Sequence, residues 1–166
     1  MAFVLYISYM IAFPVSPKET VNYSANNSDF EVIYSRPFKN GRLIFGSEDE
    51  GALVPFGKYW RTGANAASTF ETSSEILFNG EEVRAGKYAL YTFPYENSWA
   101  ILLGSENDVF FAVSEPDRKN VVLKTEAPVE YIDKPLEQFT IDFSKDSLGL
   151  KMNLKWDKTS VSIPIE

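Results

Sequence analysis

Apolar side chains recur at every second position through much of this chain, and that period constrains the fold more than any other feature. Phe30, Val32 and Tyr34 alternate with Asp29, Glu31 and Ile33, and Phe139, Ile141 and Phe143 alternate with Thr140, Asp142 and Ser144. Leu148, Leu150, Met152, Leu154 and Trp156 repeat the pattern against Gly149, Lys151, Asn153 and Lys155, as do Val161, Ile163 and Ile165 against Ser160 and Ser162. Successive side chains of an extended backbone leave on opposite faces, so each run is a strand with one face inward and one toward water. The last two runs predict a hairpin closed by Asp157-Lys158.

The middle of the chain sharpens this reading. Glu75–Phe78, Asn79-Gly80 and Glu81–Arg84 predict a tight hairpin, because Asn-Gly supplies the positive φ that a primed turn requires. After a second turn at Ala85-Gly86, Lys87–Phe93 and Ser98–Leu103 are apolar on both faces, which places them centrally, joined by Pro94-Tyr95-Glu96-Asn97. Val109–Val113, Val121–Thr125 and Val129–Ile132 are weaker strands, broken at Glu115-Pro116-Asp117 and Asp133-Lys134-Pro135. Ser47–Leu53 is expected to form a short helical turn. No stretch of eleven residues has a helical face, and turn signals recur at the spacing of a sandwich or barrel. The expected fold is all-β, a single-domain antiparallel β-sandwich or partly closed barrel of about nine or ten strands, spanning 16–166.

Residues 1–15 are set apart as an expected export signal, degraded or truncated, the competing reading being an amino-terminal strand or helix packed on the domain. Met1–Phe13 is apolar and uncharged, yet shorter than the roughly 20 residues that cross a bilayer as a helix, so no stable transmembrane span is expected.

Composition removes whole classes of chemistry. The chain has 166 residues, no cysteine and no histidine. Thiol nucleophiles, the Ser-His-Asp triad, Cys- or His-ligated zinc and His-ligated haem are therefore excluded. Carboxylate chemistry, oxygen-ligated calcium or magnesium, Lys or Tyr catalysis and simple binding remain. The net charge of −7 opposes a polyanion, so no nucleic acid partner is expected. Asn107-Asp108 and Glu115-Pro116-Asp117 are too sparse for a calcium loop, and neither a metal nor a cofactor is expected. Oligomeric state is not legible.

Residues 35–65 break the alternation. Arg36, Arg42, Trp60, Arg61 and Asn65 crowd among Pro37, Gly41, Gly46, Pro55, Gly57 and Gly63. Between Val32 and Phe70, five lysines and arginines meet three carboxylates, leaving +2 there and −9 on the remainder. A guanidinium offers a planar fork to carboxylate, sulfate or phosphate, and an indole offers a flat face to a ring. Arg36, Arg42, Trp60, Arg61 and Asn65 are thus the candidate ligand-binding residues, for a small anionic or glycan-like ligand, with no catalytic residue assigned. The competing reading pairs these arginines with buried acids and puts Trp60 in the core. A hydrolase drawing paired carboxylates from Glu48, Asp49, Glu50 and Glu71, and an envelope interaction protein with a patch of Tyr88, Tyr91, Phe93 and Tyr95, are the alternatives.

The strings YSRPFKNGRLIFG at 34–46, LVPFGKYWRTGANAAS at 53–68 and AGKYALYTFP at 85–94 occur in the order seen in a bacterial family called domain of unknown function 2911, which the chain resembles from about Ser16 to Ile165. The resemblance implies an exported protein, periplasmic or secreted, of a kind frequent in Bacteroidetes-type bacteria, and carries no established activity. Ala66 stands where the family usually has an acid after Gly-Ala-Asn, and the segment between Gly46 and Leu53 is longer than in many relatives. Glu48 or Glu50 is the candidate replacement for that missing charge.

Overall fold

The structure, a computed structural model, describes residues 15–106 and 114–166. The expected signal at Met1–Phe13, the expected strand at Val109–Val113 and the Asn107-Asp108 pair lie outside the described residues. The chain forms β1 (Lys18–Ala25), β2 (Ser28–Ser35), β3 (Phe45–Gly46), β4 (Val54–Pro55), β5 (Ser68–Thr72), β6 (Ile76–Phe78), β7 (Glu81–Val83), β8 (Gly86–Pro94), β9 (Ser98–Gly104), β10 (Val121–Asp146) and β11 (Gly149–Ile165), plus one 3-10 turn at Arg118–Asn120. Nine strands make one antiparallel sheet in the order β1-β2-β5-β8-β9-β10-β11-β6-β7, while β3 and β4 form a small parallel pair.

The long strand β10 lets this sheet become two leaves. Its first part, to Pro128, pairs with β9, and from Val129 onward it pairs with β11. The leaves meet face to face through aromatic rings: Phe30 lies 5.6 Å from Phe143, Phe70 lies 5.2 Å from Phe78, and Tyr34 meets Phe139 edge-on at 5.6 Å. Such rings contribute roughly 1.5–3 kcal/mol each by leaving water, which makes this interface the main source of cohesion.

The sheet does not close into a barrel, but its two leaves are joined along one seam. Phe38 makes an isolated bridge with Gln138. Around that bridge, the Phe139 N–H donates to Pro37 O at 3.0 Å and the Lys39 N–H to Glu137 O at 2.6 Å. Farther along, side chains replace the ladder. The Tyr34 hydroxyl accepts from the Ile141 N–H at 2.9 Å, and Arg36 Nε donates to Phe139 O at 3.0 Å.

One tight turn is the one the sequence calls for, and a second is of the same kind. Asn79 and Gly80 both have positive φ, 52° and 82°, and pair Phe78 with Glu81. The β1–β2 hairpin turns on Asn26 and Asn27, at φ 55° and 62°, a two-residue signal that the sequence reading passed over.

Three expectations are corrected. No hairpin is closed at Asp157-Lys158: β11 runs through it as one strand whose partner on both sides is β10. The inward phase does flip there, from Leu150, Leu154 and Trp156 to Val161 and Ile163, but a kink within β11, opposite extra residues of β10, produces the flip. Asp157 takes φ 52° and the register with β10 slips beside it. The bend is severe. Ser162 Oγ reaches Asn153 Oδ1 at 2.8 Å, although nine residues of straight strand would span about 30 Å. Secondly, Val121–Thr125, Val129–Ile132 and Phe139–Phe143 are parts of the single strand β10, so Asp133-Lys134-Pro135 marks register shifts rather than a strand break. Thirdly, Ser47–Leu53 is a hydrogen-bonded turn, closed by the Gly51 N–H on Glu48 O at 3.0 Å, and not a helix.

Candidate functional site

The segment after β4 folds back on the sheet and is pinned at both ends. Trp60 and Thr92 exchange two backbone hydrogen bonds, at 2.8 and 3.0 Å, which ties the loop to β8. Ser68 Oγ, at the start of β5, donates to Thr62 O at 2.6 Å. Between these anchors the backbone is costly. Thr62 is fully buried with φ 56°, a conformation that β-branched residues rarely adopt, and Asn65 follows at φ 63°. Gly63 has φ 151°, and a Cβ there would come within 2.8 Å of Ser35 O. The loop is thus pressed onto the end of β2, where the Ala64 N–H donates to Ser35 O at 3.2 Å.

This loop borders a cleft of about 560 Å³ lined by Arg42, Trp60, Arg61 and Asn65 together with Phe38 and Leu53, among others. That size suits a small organic molecule. Trp60 is both wall and core. It is 8% exposed, stacks on Trp156 at 5.9 Å, meets Phe139 at 4.8 Å, and donates its indole N–H to Gly63 O at 3.0 Å.

Four of the five candidate residues line this cleft, and Arg36 does not. Arg36 pairs with Glu19 and donates to Phe139 O and, at 2.9 Å, to Thr140 Oγ1. The reading that paired the arginines with acids therefore describes Arg36. Arg42 and Arg61 differ. Arg42 donates to Lys39 O at 3.0 Å and Phe38 O at 2.5 Å, and Arg61 donates to Asn65 O at 2.6 Å. Among the described residues, no carboxylate lies within ion-pair distance of either. Carbonyl oxygens fix a guanidinium without neutralising it, so two positive charges face the cleft. The proposed substitutes for the family's acid are occupied elsewhere. Glu48 pairs with Lys58 at 3.0 Å, and Glu50 accepts from the Ser47 N–H and hydroxyl at 2.9 and 2.7 Å. Those Ser47 hydrogen bonds hold the Glu50 carboxyl below its ordinary value of 4.5.

Glu71 belongs to a cross-strand cluster with Glu31 around Lys87. None of the four acids named for hydrolysis lines this cleft. Among the described residues, no group of three or more carboxylates is placed to hold a metal. Tyr88 and Tyr91 are buried, and Tyr95 is the exposed member of the aromatic set. Burial pushes the Tyr59 hydroxyl, whose ring lies 5.6 Å from that of Tyr91, well above the ordinary range, and the nearby Arg61 charge opposes that rise. The apolar walls Phe38, Leu53 and Trp156 were not singled out from sequence. Trp156 could have been, since it is the last inward residue before the phase flip.

Residues 16–165 match the family described as Protein of unknown function (DUF2911), and the chain belongs to it. No curated protein and no solved structure matches the chain.

Proposed function

We propose that this member of the DUF2911 family binds a small anionic ligand in the cleft bordered by Arg42, Arg61 and Asn65. One observation carries the reading: two guanidiniums at a single cleft are held by backbone carbonyls and have no described carboxylate within reach. A half-buried charge is ordinarily paired, so Arg61, half-buried with no described acid beside it, calls for an anion from outside, while Arg42, exposed at the rim, adds its positive charge. The strained Thr62–Asn65 backbone supports the same reading, because conformations of this cost persist where they hold functional groups in place. Arg61 supplies the fork, Arg42 a second positive charge, and Asn65 a further hydrogen-bonding group.

The test is a thermal-shift and calorimetric titration with acetate, sulfate and phosphate at matched ionic strength. Wild type is expected to be stabilised by at least one of these, with the effect removed in Arg61→Ala and reduced in Arg42→Ala. Equal stabilisation of wild type and Arg61→Ala would refute the proposal. An extracytoplasmic location is part of the same proposal, supported by the uncharged apolar run Met1–Phe13. It is checked by fractionating the native host and determining the amino terminus of the mature protein; a cytoplasmic protein that retains Met1 would contradict it.

A further inference from the structure

Resting on the anion-binding reading, we infer that the ligand is an organic acid whose carboxylate is joined to an apolar or aromatic body, and not an inorganic anion or a polyhydroxylated sugar. The lining decides this. Polar side chains come from Ser16, Arg42, Arg61 and Asn65, and the other lining residues include Pro37, Phe38, Leu53, Val54 and Trp156. The two indoles add no free donors. The Trp60 N–H is spent on Gly63 O at 3.0 Å and the Trp156 N–H on Glu137 O at 3.3 Å.

A sugar needs a partner for each hydroxyl it brings out of water, and unpaired hydroxyls against Phe38 and Leu53, apolar lining side chains that reach the surface, would oppose its binding. A phosphate or sulfate ion would satisfy the arginines but leave the apolar walls wet. An aryl or alkyl carboxylate matches both parts. Its carboxylate takes the planar fork of Arg61, and its body displaces water from the apolar wall. Leu53, 42% exposed, is a wall residue that lies outside the buried core.

Calorimetric titration of phenylacetate, acetate, inorganic phosphate and glucuronate into the full chain tests the inference. Phenylacetate is expected to bind at least about tenfold more tightly than acetate, a difference of about 1.4 kcal/mol, and more tightly than glucuronate. Leu53→Asn is expected to reduce that preference severalfold while acetate binding stays dependent on Arg61. If acetate or phosphate binds through Arg61 and phenylacetate binds no better, the inference falls while anion binding stands. If no acid binds in an Arg61-dependent way, both fall.

Discussion

Two side chains, Tyr34 and Arg36, do at the seam what rows of backbone hydrogen bonds do elsewhere in the sheet. The Tyr34 hydroxyl satisfies the Ile141 N–H on the edge of β10 that faces away from β11, so Tyr34→Phe leaves that buried donor unpaired. An expected loss of about 1–3 kcal/mol follows, measured by denaturant unfolding near neutral pH. Burial also pushes the Tyr34 hydroxyl from 10.0 up to about 12. A group kept protonated in the fold contributes fully below its unfolded value and loses that contribution as pH rises through the folded one. The advantage of wild type over Tyr34→Phe is therefore expected to hold below pH 10 and to shrink by on the order of 2–3 kcal/mol toward pH 12. A difference that stays constant over that window would contradict the assignment. Arg36 and Arg61 are expected to separate in the same experiments. Arg36→Ala should cost about 2 kcal/mol of stability by removing charged hydrogen bonds to β10, yet retain anion binding. Arg61→Ala should lose binding with little change in unfolding, since its described partner is the carbonyl of its own loop.

Among the elements, the Thr62–Asn65 loop and the tight turns carry the sharpest expectations. Gly63→Ala puts a methyl group 2.8 Å from Ser35 O at a φ that L-residues avoid. The loop must then move off β2, and loss of ligand binding together with a lower melting temperature is expected; unchanged binding would show that the loop is not the platform. Asp146 caps the β10–β11 turn by accepting from the Leu148 N–H at 2.7 Å, which holds its carboxyl below the ordinary 3.8, as Ser47 does for Glu50. Depressed carboxyls contribute above their unfolded values and lose that contribution as pH falls through their folded ones. Asp146→Asn is thus expected to flatten the acid limb of the stability profile below about pH 4. Most of these elements were legible in the sequence because their causes are local. Alternation needs only neighbouring residues, and Asn79-Gly80 carries its own positive φ. The corner at Asp157 was not, because a phase flip from Trp156 to Val161 is produced equally by a turn or by a positive-φ kink within one strand. Which occurs depends on β10, a partner far away in sequence. The fate of Arg36 was hidden for the same reason. Glu19, Phe139 and Thr140 reach it only after β1 and β10 come together.

For the whole molecule, the near-closure of two leaves is what sets the cleft where it is. The seam from Pro37 to Lys39 along β10 leads into Arg42, while the kink at Asp157, whose carboxylate accepts from the Lys39 ammonium at 2.6 Å, turns β11 and sets Trp156 behind the cleft. An acidic chain with a net charge of −7 thereby keeps a local positive site. The most direct measurement is the Nε–Hε spectrum of 15N-arginine-labelled protein during titration with phenylacetate. Saturable shifts at Arg42 and Arg61, with Arg36 unmoved, are the expected result. Silence at Arg61, or an equal response from Arg36, would contradict a shared anion site in this cleft.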